Sequence, residues 1–125
     1  MDAGTPTPPH GAPHPALIDR LLVEAVALGE EARAQLLATR ERHPQRSLQA
    51  GHELGIVTTC LGYSVAWLLE QKAVAAGEIA AAAVPPLADT LASEPPPPER
   101  VQPAVIDLGR RTRAFARRIE RLAAA

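Results

Sequence analysis

Four sets of residues in this 125-residue sequence have side chains able to do chemistry. They are a single cysteine, a few histidines, a serine in an apolar run, and a dense group of arginines near the C-terminus. Cys60 lies between Thr59 and Leu61 in an uncharged stretch. A reactive thiolate needs an electropositive, partly exposed setting, so Cys60 reads as a small buried hydrophobe. One cysteine also excludes an internal disulfide framework. His10 and His14 have the four-residue spacing of a helical ligand pair, but Pro13 and Pro15 forbid the helix that would align them. His43 falls near a helix end, where a cation complements the dipole. His52 and Glu53 are adjacent, so they point to different faces of a helix and form no acid–base pair. Ser64 lacks the GxSxG context of a hydrolase nucleophile. No phosphate-cradling glycine loop and no paired carboxylates occur. The sequence therefore points to no catalytic, cofactor or metal residue, and the expectation is a protein that is not an enzyme.

The arginines are the remaining chemistry. Lys and Arg total 13 and Asp and Glu total 14, a net charge of −1, so no global field attracts nucleic acid. The charge is uneven. Residues 99–125 hold seven arginines against Glu99, Asp107 and Glu120. Six of the seven (Arg110, Arg111, Arg113, Arg117, Arg118 and Arg121) fall in the last predicted helix and are taken together as a partner-binding face. A solvated surface, an acidic protein partner and nucleic-acid phosphate are the three uses such a face can have. Pro95–Pro98 spoils the turn that a helix-turn-helix would need before it.

The elements that must position these residues are helices. Aromatics amount to Tyr63, Trp67 and Phe115, and alanine dominates the apolar fraction, which argues against a β-sandwich or barrel. Residues 1–15 carry five prolines and no apolar periodicity, and read as a disordered tail of polyproline character. A first helix is predicted over residues 16–42. Its apolar stripe is Leu17, Leu21, Leu28, Ala32 and Leu36, flanked by Ile18, Leu22 and Val26. Pro44 is expected to end it. A second helix is predicted over 48–76, with Ser47 as its cap and Gly77 as its left-handed stop. A proline-rich linker over 85–100 follows, and a third helix over 103–122. There Val105, Leu108, Thr112, Phe115, Ile119 and Leu122 alternate in steps of three and four. This set spans about 100° of the wheel, with the arginines centred opposite.

The second helix is apolar or small on every side. Leu54, Leu61 and Leu68 repeat every seven residues. A second stripe holds Ile56, Cys60, Tyr63 and Trp67, and a third holds Gly51, Gly55, Thr59, Gly62 and Ala66. A helix of this kind must be covered all round. The expected fold is all-α: an antiparallel three-helix bundle in one domain, residues 16–125, with the second helix shared. Two neighbours leave part of that helix bare, so a homodimer is expected through it, by way of Gly51, Gly55, Thr59, Gly62, Tyr63 or Trp67. The longest uncharged stretch, residues 54–69, is shorter than the ~20 residues of a membrane span. With no signal-peptide pattern at the N-terminus, a cytoplasmic protein without membrane contact is expected.

Residues 53–79 read ELGIVTTCLGYSVAWLLEQKAVAAGEI. Glu53, Thr58-Thr59, Leu61, Val65 to Leu69, Gln71, Ala73-Val74 and Gly77 to Ile79 together resemble the central helix of the regulator of CtrA degradation family of alphaproteobacteria. Leu108 to Leu122, with the RRIERL run from Arg117, is similar to that family's last helix. The resemblance covers about half of the chain. It implies a dimerising three-helix bundle and a non-enzymatic adaptor role, recruiting substrates to an ATP-dependent protease in cell-cycle regulation. The alternative reading is a small dimeric nucleic-acid-associated protein using the arginine face.

Overall fold

In a computed structural model the described residues are 14–40, 44–80, 94, 96 and 100–124. The side chains of residue 40 and of 44–47 are outside the description. So are His10, residues 1–13 of the proline-rich tail, His43, and most of the linker. The described chain forms three helices and no strand: α1 Pro15–Arg40, α2 Pro44–Ala75 and α3 Pro103–Ala124.

Each boundary has a local cause. At the start of α1 the His14 carbonyl accepts hydrogen bonds from the amides of Leu17 (2.9 Å) and Ile18 (3.1 Å). The His14 ring nitrogen Nδ1 accepts another from the Ala16 amide at 3.1 Å. His14 is therefore a helix cap, a role the sequence reading did not give it. Pro44 is the first residue of α2, and residues 41–43, where it is expected to end α1, lie outside the described residues. A proline at the first helical position loses no hydrogen bond there, since that amide has no partner within the helix. Ser47 is consequently inside the helix and not its cap. At the other end Glu78 N–H donates to Ala73 O (2.9 Å) and Gly77 N–H to Val74 O (3.0 Å). This double closure needs a left-handed residue, and Gly77 supplies it with φ of 74°. The Gln102 carbonyl starts α3 by accepting from Val105 and Ile106.

The core sits where the three helices meet. Ile18, Leu21 and Leu28 of α1 pack with Leu54, Val57, Leu61 and Leu68 of α2 and with Val105, Leu108, Phe115 and Ile119 of α3. Burying each such side chain stabilises the fold by ~1.5–3 kcal/mol. The third-helix stripe is in the core as its spacing predicts. The buried arc is wider than that stripe, because Ile106, Gly109, Arg113 and Ala116 are buried as well.

Contacts between helices fix their register. Glu24 of α1 pairs with Arg118 of α3, and Glu31 with Arg111. Numbers rise along one helix as they fall along the other. Between α2 and α3 they rise together: Glu53 meets Arg113, and Cys60 packs against Ala116. Lys72 of α2 reaches Asp19 of α1 at 3.1 Å. Thus α3 shares a sense with α2, in place of the up-and-down order expected from sequence. A chain that leaves α2 at one end and enters α3 at the other needs a long connection, which explains the length of residues 76–102.

Candidate interaction surfaces

The arginine face of α3 divides into three groups. Arg111 makes a bidentate pair with Glu31, including Nη1 to Oε2 at 2.9 Å, and also binds Asp107 one turn away at 2.8 Å. The hydrogen bond to Glu31 is the main reason its guanidinium is held charged even more firmly than usual. Arg118 donates to Glu24 at 2.8 Å and lies over the Phe115 ring, 5.9 Å from its centroid. These two arginines turn toward α1 and line, with Leu28 and Phe115, a groove of about 360 Å³. Arg110, Arg117 and Arg121 are exposed and lie at i, i+7 and i+11, one row along the helix.

Arg113 belongs to neither set. Its side chain is 2% exposed and that of its partner Glu53 is 1% exposed. Nη1 donates to Glu53 Oε1, and Nη2 donates to Oε2 at 3.2 Å. The assignment of Arg113 to an outward partner face is therefore corrected: it is a core residue. Its wheel position adjoins Gly109 and Ala116, whose small side chains let α3 come close to α2 there. A Cβ at Gly109 would collide with Glu53 Oε1 and would lie 2.9 Å from Arg113 Nη1. One signal of this pair was present in the sequence. Glu53 is the only charged residue of α2 between Arg46 and Glu70, and a carboxylate in an apolar run demands a cationic partner.

Cys60 is fully buried beside this pair. Burial pushes its thiol above the ordinary value of 9.0. Arg113 pulls the other way, Glu53 adds to the rise, and Arg117 opposes it more weakly. The thiol is thus a packed, protonated group at neutral pH. Ser64 is buried and donates to the Cys60 carbonyl at 2.7 Å, which satisfies its hydroxyl within the helix. No group of three His, Cys, Asp or Glu among the described residues is placed to hold a metal ion.

The residues expected to make a dimer also divide. Trp67 is buried at 8% exposure and belongs to the core of the single chain. Tyr63 is half-buried against Cys60 and Ala116. Gly51, Gly55, Thr59 and Gly62 are exposed, so the small stripe faces away from both other helices. Thr58 and Thr59 donate to Leu54 O (2.9 Å) and Gly55 O (3.0 Å), leaving this side of the helix without free hydroxyl donors. Beside it, between α1 and α2, runs a groove of about 520 Å³ lined by Val26, Gly29 and Leu36 on one wall and Thr58, Gly62 and Val65 on the other. Val26 and Leu36, expected to help build the core stripe of α1, are exposed along this groove.

The fold and these surfaces define a small three-helix protein with a buried charge pair at its α2–α3 seam, an apolar groove and a basic outer row. Residues 12–125 match the family model described as protein of unknown function DUF1465, and the chain belongs to that family. Comparison with curated proteins and with solved structures returns no match. No helix among the described residues is long and apolar enough to cross a membrane.

Proposed function

We propose that this protein is a non-enzymatic adaptor whose outer α3 row, Arg110, Arg117 and Arg121, recruits an acidic protein partner. The observation that carries this reading is the division of the arginines. Arg111 and Arg118 hold α3 on α1 and Arg113 holds it on α2. Arg110 and Arg121 are exposed on one row of α3, and Arg117, which also makes a contact within the chain, is exposed on that row between them. Guanidinium groups bind carboxylates in a planar, two-pronged fashion and are enriched where interfaces derive their energy. The resemblance to the regulator of CtrA degradation family suggests the setting: delivery of cell-cycle regulators to an ATP-dependent protease in the cytoplasm.

The test is affinity capture from native extract with quantitative mass spectrometry. Wild-type bait is compared with Arg110→Glu/Arg117→Glu/Arg121→Glu. Arg113 stays untouched, because reversing a buried charge would unfold the bait. The reading predicts one or more acidic proteins captured by wild type and lost from the variant. Equal capture by both baits contradicts it. Capture of nucleic acid, falling steeply as salt rises, supports the alternative use of the same row.

A further inference from the structure

We infer that the partner met by the outer row of α3 is itself an α-helix, an acidic one that lies along α3 with its carboxylates in a single stripe. This rests on the adaptor reading above and adds the shape of what is bound. Arg110, Ala114, Arg117 and Arg121 are exposed and follow one another in steps of four, three and four. At about 100° per residue they fall within an arc of about 60°, so they form one straight ridge. Arg111 and Arg118 border it toward α1, where Glu31 and Glu24 hold them, and Arg113 is buried against α2. The outward charge is therefore a line and not a broad patch.

Spacing selects the partner. A rise of about 1.5 Å per residue puts Arg117 about 10.5 Å from Arg110, and Arg121 about 6 Å further on. On an extended peptide, at about 3.3 Å per residue, these intervals are about three and two residues. Side chains three apart on a strand point to opposite faces, so an extended acidic segment meets Arg110 or the other two, never all three. A helix repeats its stripe at the same steps of three and four, and brings a carboxylate to each arginine. Ala114 meets a second requirement. Helices packed along their length approach to about 8–10 Å between axes, which calls for a small side chain at the contact. Ala114 stands in the middle of the row, where a long side chain would hold the partner off. A nucleic-acid duplex fits less well. Its phosphates form a continuous line, and Asp107, exposed about one turn before Arg110, would stand against them.

Titration of the full chain with synthetic helical peptides, read by fluorescence anisotropy at physiological ionic strength, tests this. One peptide carries glutamates at i, i+4, i+7 and i+11, which serves either direction of docking. A second has the same composition with the glutamates spread around the helix, and a third has a proline in mid-stripe. The stripe peptide should bind at least about fivefold more tightly than either of the others. Arg110→Glu/Arg121→Glu should abolish its binding. Ala114→Gln, which changes no charge at an exposed position, should weaken it about tenfold by blocking close approach, and should leave the spread peptide unaffected. No binding, or equal binding of the three peptides, overturns the inference. Indifference to Ala114→Gln also overturns it, as does a DNA duplex that binds the row more tightly than the stripe peptide. Capture of an acidic protein from extract that is lost from the triple arginine variant, beside peptides that bind alike, would sink the helix and leave the adaptor reading standing, so the two fail separately.

Discussion

Arg113 of α3 donates two hydrogen bonds to the carboxylate of Glu53 in α2, and both side chains are sealed from water. The pair is buried at the α2–α3 seam, where Cys60 packs against Ala116. Breaking a buried pair leaves one charge without compensation, whereas replacing both members with apolar groups removes the desolvation cost. Glu53→Leu and Arg113→Met should each destabilise the protein by about 3–5 kcal/mol. Glu53→Leu/Arg113→Met should recover most of that loss. Urea unfolding of the three variants measures it. A double variant as unstable as the sum of the singles would show that the two residues do not act as a pair.

Gly109 should be intolerant of even one methyl. Its Cβ would meet the Glu53 carboxylate and the Arg113 guanidinium, whose displacement breaks the pair. Gly109→Ala is expected to cost about 1–3 kcal/mol, an overpacking penalty. Gly62→Ala, on the open strip, should stabilise the single chain by up to ~1 kcal/mol through helix propensity. Thermal melts at equal helix content compare them. Two shifts of the same sign would contradict the packing at Gly109.

Cys60 should resist alkylation in the folded protein at neutral pH and react once the chain is unfolded. Its thiol is raised above 9.0, chiefly by burial. The sign of the linkage follows. The native state keeps the proton that the unfolded chain releases above about pH 9, so this contribution is present below that pH and fades as pH rises past it. The alkaline loss of stability should be smaller in Cys60→Ala than in wild type. Identical pH profiles for the two would contradict the assignment.

Trp67→Ala should cost ~3–5 kcal/mol, because the ring is buried in the core of one chain. A melting-temperature shift under two degrees would place the ring in solvent instead. Arg118→Ala, which removes an exposed pair with Glu24, should cost no more than ~1 kcal/mol.

The helices were legible because their signals are local. Gly77 stops α2 where its φ of 74° is needed, and the three–four spacing from Val105 to Ile119 marks the core side of α3. Arg113 was misread because its burial depends on Glu53, sixty residues away, and a helical wheel has no information about a partner helix. The cap at His14 was missed because a histidine cap has a weaker sequence signature than Ser, Thr, Asp or Asn. The shared sense of α2 and α3 was missed because turn chemistry sets direction only when a connection is short, and this one is long. The exposed glycines of α2 were noticed, but whether they faced α1, α3 or water required coordinates.

Site-specific photocrosslinking in cells tests the central functional claim most directly. A photoreactive amino acid is placed singly at Arg110, Arg117 and Arg121 on the α3 row, and at Val23, exposed on α1, as a reference. The account predicts covalent adducts with another protein at the three α3 positions and none with that protein at Val23. Bare α3 positions, with that protein crosslinked at Val23 alone, would contradict it.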